Sequence, residues 1–238
     1  EQVNQLLFGE RAEVLEIDDH DWARIRSEWD MYEGWCKASQ LTFIPRKEYH
    51  RGAKSVSGRH NDKLQFADSD MWLPIGSDLL GMKNNKIALA NKAGTFKGKK
   101  LTSKKMILDE ASIKEAALQY LHAPYLWGGR SIAGIDCSGL TQMAYKLCGR
   151  ALPRDSSQQA NEGEMVHFLQ HAHCGDLAFF DNKEGKITHV GLLLDNQTIL
   201  HASETSGQAL IDRIDQGGII SILQKKRTHN LRFVKRFF

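Results

Sequence analysis

The sequence predicts an α+β protein whose second half carries an antiparallel sheet, preceded by two small all-β barrels. Three observations predict it. Residues 1–110 hold short apolar runs separated by turn chemistry, with no long amphipathic helix. Helical spacing then governs most of 112–149, and strand patterns take over from Leu177 to the end. Helices followed by consecutive strands are the order of an α+β domain. The 238 residues have room for three units, predicted at 1–50, 51–111 and 112–238.

The first unit predicts strands at 5–8, 12–17, 22–26, 33–37 and 41–44, with Asp18-Asp-His-Asp21 as a turn. Trp22, Ile25, Trp35 and Leu41 are its core candidates. The second unit predicts strands at 64–67, 71–73, 78–82, 86–90 and 94–97, with turns at Gly76-Ser77, Asn84-Asn85 and Lys92-Ala-Gly94. No repeat at the level of residues links the two.

In the third unit, Ser112 and Glu115 fit a capping box for a helix over 113–121, which Pro124 closes. Leu140, Met143, Ala144 and Leu147 recur at helical spacing, and Gly149 suits the left-handed position after a helix. After Pro153, Ser156 and Gln159 are expected to cap another helix. Strands are predicted at 177–180, 189–194, 198–202, 219–223 and 231–237, with a tight hairpin at Asp195-Asn196.

Composition excludes several classes. The chain is 41% hydrophobic and 26% charged, with a net charge of +3, as for an ordinary globular protein. That balance suits an anionic polymer without demanding nucleic acid. The lysines at 97–105 lack interleaved aromatics and are expected on a solvated loop. No apolar run nears the ~18 residues needed to span a bilayer. Cys36, Cys137, Cys148 and Cys174 lack the spacing of a disulfide framework or a zinc ribbon.

Chemistry concentrates at Cys137. It follows a glycine-rich approach, Gly128-Gly129 to Gly134, and opens a helix, where free backbone N–H groups favour a thiolate. The plainer reading is a buried cysteine acting as a small hydrophobe. His189 and His201 tilt the balance. Each lies in an apolar strand, and the hairpin between them makes the imidazoles cross-strand neighbours, one able to orient the other. The same three residues would ligate zinc, yet no metal-ligand spacing accompanies them, so neither metal nor cofactor is expected. His167, His171, His173 and Cys174 read as a surface connector.

The residues then resemble a known family, the NlpC-type cell-wall cysteine peptidases, a papain-like group. The matching pieces are Pro124-Tyr-Leu-Trp-Gly-Gly129, Asp136-Cys-Ser-Gly139, Pro153-Arg-Asp-Ser156, Gly175-Asp-Leu-Ala-Phe-Phe180, His189-Val-Gly191 and His201-Ala-Ser203. The resemblance implies a papain-like catalytic domain with Cys137 as nucleophile, His189 as base and His201 orienting it. It implies that Tyr125 assists the oxyanion. Asp136, Ser138 and Ser156 match positions that hold the substrate's amino end and its D-glutamyl carboxylate.

Trp22-Ala-Arg-Ile-Arg26 and Tyr32-Glu-Gly-Trp35 resemble bacterial Src-homology-3-like barrels. Two such barrels ahead of this domain resemble the γ-D-glutamyl-L-diamino acid endopeptidases. Tyr32 and Glu10 are the expected wall of the cleft, limiting it to short peptides with free N-terminal L-alanine. The implied substrate is a peptidoglycan-derived peptide, cut before meso-diaminopimelate or lysine; a monomer is expected, though no residue pattern fixes the oligomeric state. An exported, envelope setting is expected, with the signal segment upstream of Glu1; a cytoplasmic one stays open. The alternatives are N-acetylmuramoyl-L-alanine amidase or acyl-transfer chemistry on the same fold, and a wall-binding module without activity.

Overall fold

The structure, a computed structural model, describes residues 1–89 and 92–238. The chain divides into two compact units: Leu6–Lys105, and Glu1–Gln5 together with Met106–Phe238.

In the unit Leu6–Lys105, β1 (Ala12–Ile17), β2 (Trp22–Ser27) and β3 (Glu33–Lys37) form an antiparallel sheet in chain order. Strand periodicity buries Ala23 and Ile25 and sends Trp22, Arg24 and Arg26 to the opposite face. Trp22 and Trp35 are therefore 40% and 50% exposed rather than core, a correction of the sequence expectation. Parity decides it: Trp35 pairs with Arg24, and the Trp22 ring carries the Lys37 ammonium at 4.4 Å.

The strands expected at 5–8 and 41–44 do not form. Leu7 gives its N–H to the Glu10 carboxylate (2.8 Å), and Pro45 ends the second stretch by capping α1 (Arg46–Arg51). Next come β4 (Ser55–Ser57), β5 (Lys63–Gln65), β6 (Asp70–Trp72), β7 (Lys86–Leu89), β8 (Lys92–Lys97) and β9 (Lys100–Thr102). A sheet of order β6-β5-β8-β7 packs on Leu64, Leu73, Leu79, Ile87 and Phe96, while β4 pairs β9. Asn84 and Asn85, both at positive φ, make the expected turn.

Residues 78–82 are irregular rather than a strand, with Gly81 at φ +67. The expected turn at Lys92-Ala-Gly94 is instead part of β8. A Cβ at Gly94 would lie 3.0–3.1 Å from Phe66 and Leu64, so this glycine serves close strand packing. Ala90, the end of the strand expected at 86–90, lies outside the described residues.

In the other unit, α2 (Glu110–Leu118) is capped by Asp109, whose carboxylate accepts the Ser112 N–H at 2.8 Å. The expected Ser112 cap is thus displaced to Asp109. β10 (Arg130–Ser131) and β11 (Gly134–Ile135) make a small hairpin that leads into α3 (Cys137–Leu147), with α4 (Ser156–Gln159) after it. Asp155 caps α4 and gives its N–H to the Gln158 side chain at 3.2 Å, where Ser156 and Gln159 had been expected to cap.

The strands that follow are β12 (Glu164–Val166), β13 (Leu177–Asp181), β14 (Ile187–Leu193), β15 (Thr198–Ser203), β16 (Gln208–Asp215), β17 (Gly218–Ser221) and β18 (Lys226–Arg236). All pairings are antiparallel, in the order β12-β18-β13-β14-β15-β16-β17. β18 pairs β13 with its second half and β17 with its first, which closes β13 to β18 into a six-stranded barrel. Ala178, Phe180, Leu193, Ile199, Ile214 and Val234 fill one core, and α3 packs against β14 and β15. Covered on both sides, β14 reads as the near-continuous apolar run seen in the sequence.

Candidate active site

Local chemistry fixes where α3 begins. Asp136 is its N-cap, taking the Gly139 N–H on Oδ1 (2.7 Å) and the Gly128 N–H on Oδ2 (2.8 Å). The glycine approach thereby folds back on the helix start. A Cβ at Gly139 would stand 2.3 Å from the Gly129 carbonyl oxygen, so only glycine fits that contact.

Cys137 follows, 7% exposed, with the N–H groups of Ser138 and Val190 facing its sulfur. Val190 is the residue after His189 on β14, so this strand meets the nucleophile's helix at the sulfur itself. His189 and His201 lie on the same strand faces as Leu193 and Ile199, at one end of the barrel. Their rings meet through His189 Nε2 and His201 Nδ1, 2.9 Å apart. Gly191 makes room for the pair: a Cβ there would lie 3.0 Å from His201 Cβ.

Burial, more than any charge, pushes the Cys137 thiol up to about 12, and Asp136 adds to it; the Val190 and Ser138 N–H groups and Arg154 oppose the rise. The sequence expectation of an acidic thiol is corrected here. The helix-end effect exists, but desolvation outweighs it. Burial, then His229 and His201, hold His189 well below the usual histidine range. Both shifts favour the uncharged forms, a thiol and a neutral imidazole. Tyr125 is half-buried, and desolvation followed by the Cys137 and Asp136 charges pushes its hydroxyl up, so it stays a proton donor.

Two groups escaped the sequence reading. His229, on β18, stacks on His189 with centroids 4.2 Å apart and planes at 22°. Asp212, 1% exposed on β16, places Oδ2 3.2 Å from His201 Nε2. The missed strand is the reason for missing Asp212: a carboxylate on the buried face of Gln208–Asp215 breaks the apolar alternation that marks strands. Its neighbours Leu210 and Ile214, two residues away on either side, were the available signal.

A third overlooked group is Arg154. Its guanidinium, 1% exposed, bonds Asp136 through Nη1 (3.0 Å) and Nη2 (2.6 Å), Ser138 Oγ through Nη1 (2.8 Å), and Asn4 Oδ1 through Nε (2.8 Å). Asp136 and Ser138, expected at a substrate's polar ends, are both held in place by this guanidinium. Ser156 is half-buried at the first position of α4.

Glu10 and Tyr32 belong to the unit Leu6–Lys105. There Glu10 holds the Leu7 N–H, and Tyr32 accepts the Ser27 N–H at 2.9 Å and gives its own to Asp30 at 3.1 Å. His167, His171 and His173 are exposed along the connector before β13. Among the described residues no cluster of three or more histidine, cysteine, aspartate or glutamate side chains is arranged to hold a metal ion. None of the described helices is long and apolar enough to cross a membrane.

Residues 122–228 match the NlpC/P60 family, and residues 1–41 match the bacterial dipeptidyl-peptidase Sh3 domain. The dipeptidyl-peptidase 6 of Lysinibacillus sphaericus is 27% identical over 241 residues, covering 91% of this chain and 85% of that protein. The gamma-D-glutamyl-L-lysine dipeptidyl-peptidase of Bacillus subtilis is 27% identical over 224 residues, covering 84% and 72%. An NlpC/P60 family protein from Bacillus cereus shares the fold, with a TM-score of 0.77 at 22% identity over 99% of this chain and 82% of its own. The chain is a hydrolase, a cysteine-type peptidase in which an NlpC/P60 domain follows a bacterial SH3 domain.

Proposed function

We propose that this peptidase hydrolyses the amide bond between γ-D-glutamate and a diamino acid, meso-diaminopimelate or L-lysine, in short peptidoglycan-derived peptides with a free N-terminal L-alanine. The observation that carries the reading is the buried Cys137 sulfur, met by the Val190 N–H and backed by the His189–His201 hydrogen bond of 2.9 Å. The name of the Bacillus subtilis relative supports the choice of bond. A peptidoglycan-derived substrate supports an exported, envelope setting over a cytoplasmic one.

In the proposed reaction His189 takes the Cys137 proton as the sulfur attacks the γ-carbonyl carbon. The proton transfer and the bond formation run together, since burial disfavours both a free thiolate and an imidazolium. The Ser138 N–H and the Tyr125 hydroxyl donate to the developing oxyanion. His189 then protonates the departing amine, and water releases the acyl group from sulfur with His189 as base. Ser156 is assigned to the substrate side of the site.

Mass spectrometry of L-Ala-γ-D-Glu-L-Lys and its diaminopimelate analogue after incubation tests this. The expected products are L-Ala-D-Glu and the free diamino acid, absent with Cys137→Ala. Cleavage at another bond, release of N-acetylmuramic acid from a muropeptide, or full activity in Cys137→Ala would overturn it. Equal rates on intact peptidoglycan would remove the restriction to short peptides.

A further inference from the structure

We propose that Asp212 is a positioning residue that fixes the tautomer of His189 by way of His201. The inference rests on the reading of Cys137 and His189 as nucleophile and base. Asp212 is buried, with Oδ1 accepting the Ile222 N–H (2.8 Å) and Oδ2 facing His201 Nε2 (3.2 Å). Burial raises its carboxyl, but the bonds from His201 and Ile222 together outweigh burial and hold it below the usual carboxylate range.

An ionised carboxylate only accepts, so the proton of neutral His201 sits on Nε2. His201 Nδ1 then has a lone pair and no hydrogen. The 2.9 Å contact with His189 Nε2 therefore needs its hydrogen from His189. With Nε2 protonated, neutral His189 keeps a bare Nδ1, the nitrogen able to accept the thiol proton. One buried charge thus propagates a single proton order through two rings. His229, stacked on His189 with centroids 4.2 Å apart, covers one face of that ring.

The substitution Asp212→Asn reverses the chain. The Ile222 N–H demands an acceptor, so the amide oxygen stays on that side and the NH2 faces His201. His201 must then accept on Nε2, carry its proton on Nδ1 and donate to His189 Nε2. His189 is left with a proton on Nδ1 and cannot act as base. Asp212→Ala imposes neither order and leaves a mixture.

The test combines kinetics with nitrogen-15 NMR of histidine-labelled full chain at about pH 8, above the histidine range. Expected in the wild type is Nε2–H on both His189 and His201, and in Asp212→Asn is Nδ1–H on both. kcat should fall by about 10²- to 10⁴-fold in Asp212→Asn, the scale of a wrong-tautomer change in a serine triad, with KM within about threefold. Asp212→Ala should lose less. A wild-type His189 carrying Nδ1–H, an Asn variant with unchanged tautomers, or a larger loss in Ala than in Asn overturns the inference. The wild-type spectrum decides even where a variant does not fold. Because the spectra need no substrate, an inactive wild type on the proposed peptide would sink the proposed function alone.

Discussion

Replacing Arg154 with leucine is the sharpest test of how the nucleophile's loop is held. The change removes two bonds to Asp136, one to Ser138 and one to Asn4, all in a site where arginine and aspartate are 1% and 6% exposed. Breaking one side of a buried ion pair costs about 3–5 kcal/mol, because the partner charge stays buried. Asp136 keeps the Gly128 and Gly139 N–H groups, which places the expected cost near the lower end, about 3 kcal/mol.

At 1.36 kcal/mol per decade that is roughly 160-fold in the opening equilibrium. Hydrogen-exchange mass spectrometry of peptides covering α3 reads it directly, as faster exchange by that factor. Adding Asp136→Asn in the same chain removes the stranded charge and should recover about half of the loss, a coupling within the range of contacting pairs. Exchange within about twofold of wild type in Arg154→Leu, or strictly additive costs in the double variant, would refute the reasoning.

Three further outcomes are expected. Gly191→Ala puts a methyl 2.6 Å from Ile199 Cδ1 and 3.0 Å from His201 Cβ, so it should cost ~1–3 kcal/mol by overpacking and lower kcat about tenfold, measured by urea unfolding and peptide turnover. His229→Ala exposes His189, whose depression comes from burial first and then from His229 and His201. Since the base must be neutral to act, the acid limb of kcat/KM in the wild type lies below the usual histidine range, and the variant should move it upward; an unmoved limb counts against His229 as its cover. Tyr125→Phe removes a hydroxyl donor and should reduce kcat by ~10²-fold with little change in KM, and a KM effect alone would assign the hydroxyl to binding.

Much of the site was legible because its chemistry is written locally. A glycine approach, an aspartate cap and an apolar period of three and four locate Cys137 on its helix, and the hairpin after Leu194 brings His189 to His201. What stayed hidden depends on contacts far apart in sequence. Arg154 meets Asp136 across the length of α3, Asp212 puts a charge between Leu210 and Ile214 on the buried face of its strand, and His229 reaches His189 only because β18 closes the barrel. The outward Trp22 and Trp35 show the same limit from the other side. Aromatic character suggested core, and only strand parity could have denied it.

The first five residues carry a practical consequence. They lie against a domain that the chain re-enters only at Met106, with the Asn4 amide oxygen on Arg154 and the Gln5 side chain and carbonyl on Arg130. A fragment excised from position 106 onward would hold every reacting group yet lose the Asn4 acceptor of Arg154 and both Gln5 acceptors of Arg130. Anyone isolating the hydrolase portion should therefore retain this opening segment or rejoin it as a separate peptide.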